Sequence, residues 1–315
     1  MKILISGASG FIGKALCAEL FRQGLTVRAA VRCASSPIEN TQTVSVGDIN
    51  GETNWTEALL GINVVIHLAA RAHVMKASAA DPLEALYKVN VDGACNFARQ
   101  AAKAGVQRFI FISSIKVNGE GTLLGQPYTT EHQPAPIDPY GISKRMAEDA
   151  LRQLADQTGL EVVIIRPPLV YGPGVKANFR SMMRWLDKGV PLPLAGIHNK
   201  RSLVALDNLV DLIVTCIAHP LAANQTFLAG DGEDLSTTEL LQRLGHALGK
   251  PAKLLPLPIW VLKTGAMLLG KRDMAQRLCN SLQVDINKAS ELLGWQPPVS
   301  VDDALKKTAA DFLRK

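Results

Sequence analysis

The stretch KILISGASGFIG, residues 2–13, joins a β-rich run to glycines that recur every third residue. A strand that runs through such a glycine turn into a helix is the arrangement that binds a dinucleotide pyrophosphate: Gly7 permits the turn, Gly10 lets the backbone approach the ligand, and Gly13 lets helix and strand pack closely. The helix N-terminus adds amide donors and a positive dipole end. Glycine turns also occur for backbone reasons alone. The strand–turn–helix context nevertheless favours a dinucleotide site with contacts from Gly7, Gly10, Phe11, Ile12 and Gly13.

Short β-rich runs alternate with helical patterns through the first half of the chain. This alternation predicts an α/β fold of the Rossmann type, a doubly wound parallel sheet covered by helices on both faces. The predicted strands are Lys2–Ser6, Thr26–Val31, Thr43–Val46, Val64–Leu68, Phe109–Ser113 and Val162–Arg166. The predicted helices run from about Gly10 to Gln23, Pro82 to Lys103 and Pro139 to Gln157.

After Arg166 the pattern becomes irregular and rich in proline, which indicates a second, smaller domain. We expect the nucleotide-binding domain to span residues 1–167, with about 203–230 rejoining it through a strand, a helix and another strand. Residues of about 168–202 and 231–315 are then a mixed α/β cap that binds the substrate.

Composition narrows the class of protein. The chain has 315 residues and a net charge of +6, but Lys and Arg are spread along it, so nucleic acid is not a predicted partner. The cysteines have neither CxxC nor metal-ligand spacing, which predicts free thiols, no metal site and a reducing, cytoplasmic location. They are Cys17, Cys33, Cys95, Cys216 and Cys279.

The most apolar segment is Leu254–Leu269, but Pro256, Pro258 and Lys263 interrupt it. It is therefore too short to span a bilayer, and no integral membrane segment is predicted. A buried or interface helix is the favoured interpretation of this segment, and contact with a membrane surface is a weaker one.

The end of the second strand bears on the choice of cofactor. A carboxylate there would bind the adenosine ribose of NAD, but the strand ends Val31-Arg32. Arg32 could instead pair with the 2′-phosphate of NADP, so NADP(H) is favoured and NAD(H) stays open; Arg32 could also be a solvated loop residue. Asp48 is predicted to accept from the adenine amino group, or else is only a turn residue, while His67 is expected to be structural. The other predicted cofactor contacts are Ile49, Leu68, Ala69, Ala70, Asn90, Tyr140 and Lys144.

Tyr140 and Lys144 lie at positions i and i+4 of a predicted helix, about 6 Å apart in rise. Such a phenol can exchange a proton with an alcohol, and the ammonium favours the phenolate. Because a free tyrosine has a pKa of about 10, activity near neutrality needs a fall of roughly 2–3 units. Ser114 follows the fifth strand, at the sheet edge where α/β folds bind ligands, and can hydrogen-bond the same oxygen. Ser113 is a weaker candidate because we expect it to remain in the strand.

The segments GASGFIG, HLAA, FISSIKVNG, YGISK and RPPLVYGPG together resemble the extended short-chain dehydrogenase/reductases, in particular the nucleotide-sugar epimerase/dehydratase group. This resemblance implies that Ser114, Tyr140 and Lys144 are the catalytic residues and that Asn90 supports them. It also implies that a UDP-sugar is the partner molecule. Arg201 would contact its diphosphate, or else form a surface ion pair, and further contacts would come from Asn178 and from the Leu192-Pro193-Leu194 stretch. A homodimer is left open.

Two departures from the family pattern narrow the expected reaction. Dehydratases of this group carry Asp-Glu after the serine, where this chain has Ile115 and Lys116, so dehydration is not expected. The missing acid beside Arg32 suits an exchangeable NADPH. The segments SSIKVNG, residues 113–119, and PGVKANF, residues 173–179, resemble those of bacterial 4-ketoreductases. This resemblance implies a 4-ketoreductase that forms UDP-N-acetylquinovosamine for surface polysaccharide such as O-antigen, and we favour that reaction. The alternative is a 4-epimerase of UDP-glucose or UDP-N-acetylglucosamine, and a remote one is a non-catalytic NADP-binding subunit.

Overall fold

The glycine turn joins the first strand to the first helix as expected. A computed structural model describes residues 1–33, 38–72, 82–268, 270 and 272–314. Strand β1 (Lys2–Ser6) leads through the turn into helix α1 (Phe11–Arg22). Gly7 has a φ of 72°, and a Cβ atom there would lie 2.7 Å from the backbone nitrogen of Ala69. A Cβ atom on Gly13 would lie 2.3 Å from the Gly7 carbonyl oxygen, so both positions require glycine.

The large sheet has seven parallel strands in the order β3-β2-β1-β4-β5-β6-β9. The strand order reverses between β1 and β4, the point at which doubly wound sheets bind ligands. The six strands predicted in the first half of the chain are all in this sheet, with ends shifted by one residue in several cases. The strands after β1 are β2 (Thr26–Val31), β3 (Gln42–Ser45), β4 (Val64–His67), β5 (Arg108–Ile112), β6 (Glu161–Arg166) and β9 (Thr226–Leu228).

Helices cover both faces of this sheet because both faces are apolar. Leu16 and Leu20 of α1 pack on one face together with Ile213 from a later helix. Phe97 and Leu151 pack on the other face. The helices on that second side are α2 (Thr56–Leu59), α3 (Pro82–Tyr87), α4 (Ala94–Lys103) and α5 (Pro139–Thr158).

The helix expected over Pro82–Lys103 is interrupted. Residues Lys88–Gly93 form a π-helical segment between α3 and α4. Such segments often occur at functional sites, since the extra residue in the turn displaces side chains from helical spacing. The ends of α5 agree with prediction: Asp138 is its N-cap and Gly159, with a φ of 72°, its C-cap.

A smaller three-stranded sheet, in the order β10-β8-β7, lies outside the large one. Strand β8, which we expected to rejoin the large domain, pairs instead with β7 and β10, whereas β9 does pair with β6. The exact domain boundaries remain a prediction. The remaining elements are β7 (Leu169–Tyr171), α6 (Ala177–Asp187), β8 (Arg201–Ala205), α7 (Leu206–Ala218), β10 (Asp234–Leu235), α8 (Thr237–Ala247), α9 (Ile259–Leu268), α10 (Arg272–Cys279), α11 (Asn287–Leu293) and α12 (Val301–Leu313).

The apolar segment that begins at Leu254 contains α9, on which Trp260 is 71% exposed. Among the residues that the structure describes, no helix is both long and apolar enough to cross a bilayer.

Candidate active site

Ser114 lies immediately beyond the carboxyl end of β5, at the sheet edge predicted from the sequence. It is half-buried and caps a short 3₁₀ turn over Ile115–Val117, where its Oγ atom accepts a hydrogen bond from the Lys116 backbone at 3.3 Å. Strand β5 ends at Ile112, so Ser113 is already outside the strand, contrary to expectation. The Ser113 hydroxyl is buried and donates to Glu148 at 2.5 Å, so Ser114 carries the more accessible of the two hydroxyls.

The start of α5 packs directly on the segment that carries Ser114. Asp138 is the N-cap of α5, which begins at Pro139, and its Oδ1 atom accepts a hydrogen bond from the Gly141 backbone at 2.6 Å. A Cβ atom on Gly141 would lie 2.7 Å from the Lys116 carbonyl oxygen. Because glycine allows this close approach, the first turn of α5, with half-buried Tyr140, is held beside Ser114.

Lys144 is buried one turn further along α5. Its Nζ atom donates to the carbonyl oxygen of Ile112 at 2.8 Å and lies 4.3 Å from the centre of the Phe111 ring. Both contacts are with the end of β5, so the structure brings together the segments that carry Ser114, Tyr140 and Lys144. Burial lowers the pKa of Lys144 to about 7, although the nearby Glu148 carboxylate acts to raise that pKa.

The pKa of Tyr140 is shifted in the opposite direction from that of Lys144. Burial and, to a smaller extent, the negative charge of Asp138 together raise the pKa of its phenol to about 12. From the sequence we expected Lys144 and the positively charged nicotinamide of an oxidised cofactor to lower this pKa together. Lys144 by itself does not lower it, because its ammonium donates to the Ile112 carbonyl and burial disfavours its charge. The fall that catalysis requires is therefore larger than a free phenol would need.

Asn90 supports the first turn of α5 from the π-helical segment. Its side-chain nitrogen donates to Ser143 Oγ at 3.0 Å, and its side-chain oxygen accepts from the Arg71 backbone at 2.8 Å. Ser143 Oγ in turn donates to the Tyr140 carbonyl oxygen at 2.8 Å. This chain of hydrogen bonds links the loop after β4 to the residue that carries the phenol, which fits the supporting role that we expected for Asn90.

A buried ion pair beneath the site was missed by sequence reasoning. Arg166, at the end of β6, donates to both carboxylate oxygens of Glu148 at 2.9 and 2.5 Å and to Asn118 at 2.9 Å. Arg166 and Glu148 are 2% and 0% exposed. The network connects α5, β6 and the segment after Ser114, so it stiffens the base of the site. No local sequence pattern links Glu148 on α5 to Arg166 on β6, so the sequence offered no signal for this pair.

The glycine turn fits a dinucleotide. A Cβ atom on Gly7 or Gly13 would strike backbone, and the N-terminus of α1 begins at Gly10, which has no side chain to cover the helix amides. Beside the turn, His67 is fully buried and bonded to Ser6 Oγ at 2.5 Å. Burial and, to a smaller extent, the charge of Lys144 together lower the pKa of His67 to about 3, so the imidazole is neutral. Both facts suit the structural role predicted for this histidine.

Arg32 and Asp48 meet each other at the ends of β2 and β3. Their closest side-chain atoms, Nε and Oδ1, are 4.0 Å apart, and the two side chains are 84% and 86% exposed. An exposed pair of this kind contributes little to stability, so both remain available to a ligand. Ile49 is half-buried, and a Cβ atom on Gly93 would lie 2.7 Å from its Cγ2 atom. Among the remaining predicted contacts, Leu68 and Ala69 are half-buried and Ala70 is exposed. From the sequence, Ser9 or Ser35 could also donate a hydrogen bond to the 2′-phosphate of NADP beside Arg32, but Ser35 lies outside the described residues.

The predicted substrate contacts are spread over the smaller domain. Arg201, on β8, donates to the carbonyl oxygens of Arg277 at 2.9 Å and Asn280 at 3.1 Å, so the surface ion pair we considered for it is not what the structure shows. Burial lowers its pKa, and the charge of Arg277 lowers it further. Asn178 is exposed near the start of α6. The side chain of Leu192 is 7% exposed and packs in the core of this domain. The substrate contact expected from the Leu192-Pro193-Leu194 stretch stays a prediction.

Comparisons with known proteins agree on the family. Residues 3–230 match the NAD dependent epimerase/dehydratase family. The UDP-glucose 4-epimerase of Vibrio cholerae is 52% identical over 99% of this chain and 95% of its own length. The dTDP-4-dehydro-6-deoxyglucose reductase of Escherichia coli is 25% identical over 97% of this chain and 95% of its own.

Solved structures share the fold at lower identity. The UDP-glucose 4-epimerase of Thermotoga maritima, solved with UDP-glucose, has a TM-score of 0.78 at 24% identity and covers 100% of this chain and 99% of its own. The UDP-glucuronic acid 4-epimerase of Bacillus cereus, solved with NAD, has a TM-score of 0.79 at 22% identity with the same coverage. With a family match over most of its length and a relative more than half identical along nearly all of it, this chain belongs to the NAD dependent epimerase/dehydratase family and is an enzyme of that class.

Proposed function

We propose that this enzyme is a UDP-sugar 4-epimerase that interconverts UDP-glucose and UDP-galactose. The observation that carries the proposal is the 52% identity to the Vibrio cholerae UDP-glucose 4-epimerase, which extends over 99% of the chain. The sequence analysis had favoured a 4-ketoreductase, but this similarity supports the epimerase alternative better. The arrangement of Ser114, Tyr140 and Lys144 suits either reaction, since both change the oxidation state at C4 of the sugar.

The reaction that we propose begins with the C4 hydroxyl beside Ser114 and Tyr140. The phenolate oxygen of Tyr140 takes the hydroxyl proton as the C4–H bond breaks, and a C4 ketone forms on the sugar. Ser114 Oγ donates a hydrogen bond to that ketone oxygen, and Tyr140 returns the proton when hydride is delivered to the opposite face. A bound NAD would accept the hydride and return it, and its oxidised ring carries a positive charge.

Lys144 and the glycine turn have separate tasks in this scheme. Charged Lys144 favours the phenolate of Tyr140. The pKa of Lys144 is about 7, so a negative charge that forms or binds nearby shifts Lys144 towards its charged form. The backbone amides between Gly7 and Gly13 would hold the pyrophosphate of the dinucleotide. Asp48 and Arg32 are placed at the strand ends where the adenosine would lie.

The choice between NAD and NADP depends on Arg32. We propose NAD as the working cofactor, because the family that the chain belongs to is NAD dependent. The sequence favoured NADP because of Arg32. Its side chain is 84% exposed and lies 4.0 Å from Asp48, so it remains available to a 2′-phosphate.

Arg32→Ala tests this choice directly. If Arg32 reads a 2′-phosphate, the substitution should weaken NADPH relative to NADH by about 10-fold or more, as expected for a lost charge-assisted contact. If NAD is the cofactor, as we propose, the two affinities should change by less than about threefold. The measurement is a fluorescence titration of both reduced cofactors, with Lys14→Ala on the first turns of α1 as a charge-matched control.

A second candidate function retains the sequence-based preference. A 4-ketoreductase acting on UDP-4-keto-6-deoxy-N-acetylglucosamine, with a place in surface polysaccharide synthesis, is favoured by the missing acid beside Arg32. The similarity to a dTDP-4-dehydro-6-deoxyglucose reductase shows that related chains carry out such reductions.

A substrate panel separates the two candidates. Purified enzyme is incubated with UDP-glucose, UDP-galactose or UDP-N-acetylglucosamine without added reductant, and with the 4-keto sugar plus NADH or NADPH. We expect UDP-glucose and UDP-galactose to be interconverted, and anion-exchange chromatography measures the two sugars. Stoichiometric oxidation of NAD(P)H by the 4-keto sugar, without any interconversion, would reject the epimerase in favour of the reductase.

A further inference from the structure

Lys116 and Asp138 link the two segments on which the reacting groups lie. Lys116 follows Ser114 by two residues, and Asp138 precedes Tyr140 by two. The Lys116 ammonium donates to Asp138 Oδ2, in an ion pair whose side chains are only 31% and 27% exposed. Partial burial makes such a pair stronger than a surface pair, because less water screens it.

Two further hydrogen bonds connect this ion pair to Ser114 and to the first turn of α5. The other carboxylate oxygen of Asp138 accepts from the Gly141 backbone at 2.6 Å, so the same side chain also fixes the first turn of α5. On the opposite side, the Lys116 backbone donates to Ser114 Oγ at 3.3 Å. A continuous path therefore runs from the Ser114 hydroxyl through Lys116 and Asp138 to the helix turn that carries Tyr140.

We propose that the ion pair between Lys116 and Asp138 sets the position of Ser114 relative to Tyr140, which makes both charged residues positioning residues of the reaction. The proposal rests on the roles given to Ser114 and Tyr140 in the proposed function. An oxygen at C4 must contact both hydroxyls at once, and a displacement of about 1 Å can lower a rate by about 100-fold. Neither charged group touches the reacting atoms; each acts through the segment it holds.

The ion pair also has an electrostatic consequence. Asp138 raises the pKa of the Tyr140 phenol through its negative charge. A paired Lys116 ammonium partly cancels that charge, so it holds the helix start without leaving an uncompensated anion beside the phenol. Glu120 also lies near Lys116, at 3.5 Å, but its side chain is 43% exposed, more than that of Asp138.

The test compares Lys116→Met, Lys116→Arg, Asp138→Asn and the double variant Lys116→Met/Asp138→Asn. Asparagine is as good an N-cap as aspartate, so Asp138→Asn removes the charge and keeps the helix start. We expect kcat to fall about 10- to 100-fold in Lys116→Met and Asp138→Asn, with KM for the UDP-sugar changed less than about threefold. Lys116→Arg should restore kcat to within about threefold of the wild type.

The double variant and a control complete the test. Because both single changes remove the same ion pair, the double variant should be no slower than the slower single one. Glu120→Gln removes the other carboxylate near Lys116 and should leave kcat within about twofold. A Lys116→Met kcat within twofold of the wild type, or losses that multiply in the double variant, would overturn the proposal.

Failure of the proposed function can be told apart from failure of this inference. If the wild type reduces a 4-keto sugar instead of interconverting UDP-sugars, the same variants are compared in that reaction, since it uses the same two hydroxyls. A readout without turnover is the ¹³Cζ resonance of labelled Tyr140, assigned with Tyr140→Phe. It should shift in Lys116→Met and return in Lys116→Arg; an unshifted resonance would contradict the proposed link.

Discussion

Tyr140→Phe should lower kcat by about 10²- to 10⁴-fold, the contribution of a positioned acid–base group. The phenylalanine keeps the ring and therefore the packing of α5, but it cannot take or return the proton at the C4 oxygen. Affinity for NAD should change by no more than a few-fold, because we propose that the glycine turn holds the pyrophosphate of the dinucleotide. The measurements are steady-state turnover of UDP-glucose and a separate titration of the cofactor.

Tyr128→Phe is the matched control for this result. This variant removes the hydroxyl of Tyr128, which donates to the Gly121 carbonyl oxygen at 2.7 Å and has no part in the proposed reaction. Its turnover should stay within about threefold of the wild type, the loss of one partly exposed hydrogen bond. A Tyr140→Phe enzyme that keeps more than about a tenth of the wild-type kcat would remove the phenol from the proton transfer.

Arg166→Met should destabilise the fold by about 3–5 kcal/mol, the cost of leaving a buried charge without its partner. Glu148 is fully buried and depends on Arg166 for hydrogen bonds to both carboxylate oxygens. Although burial acts to raise the pKa of Glu148, hydrogen bonds and charge from Arg166 hold it below its usual value. Urea unfolding monitored by circular dichroism gives the change in the free energy of unfolding.

The loss should depend on pH in a defined direction. In the wild type the pKa of Glu148 is lowered, so its stabilising contribution is present above the unfolded-state pKa and is lost as pH falls through the folded-state pKa. In Arg166→Met the Glu148 carboxyl keeps only the Ser113 hydroxyl and the partly exposed Arg152 as partners. Its pKa should therefore rise, and the variant should recover stability as pH falls. Arg152→Met, which removes a 40% exposed partner of the same Glu148, should cost only about 0–1 kcal/mol. Equal losses in the two variants would contradict the assigned role of the buried pair.

The fold could be predicted from the sequence where local signals and burial agree. The glycine turn and the first six strands are short apolar runs bounded by turn residues, and the structure places them as expected. Strand β7 and helix α6 were missed. Strand β7 follows Pro167-Pro168, and α6 begins at Ala177, whose φ of 52° is unusual for a residue with a side chain. Tertiary contacts override local preference there.

The site could be predicted in part for a similar reason. Ser114, Tyr140 and Lys144 lie in short motifs, so the sequence identifies them without knowledge of the packing. The pair of Glu148 and Arg166 joins residues on α5 and β6, and no local pattern connects them. The preference for a reductase followed from the missing acid beside Arg32 and from the resemblance of two short segments to 4-ketoreductases. The comparison over the whole chain favours the epimerase, because an exposed residue at a strand end constrains the reaction less than similarity across the substrate domain does.

The central claim is that the enzyme removes and returns the same hydride at C4 of a UDP-sugar. Its most direct test uses UDP-glucose that carries deuterium at C4, with enzyme in ordinary water and no added cofactor. We expect UDP-galactose to form with nearly all of the deuterium still at C4, as measured by mass spectrometry and NMR, because the hydride should stay with the bound cofactor until it returns. Formation of UDP-galactose without the label, or no UDP-galactose at all, would contradict the account.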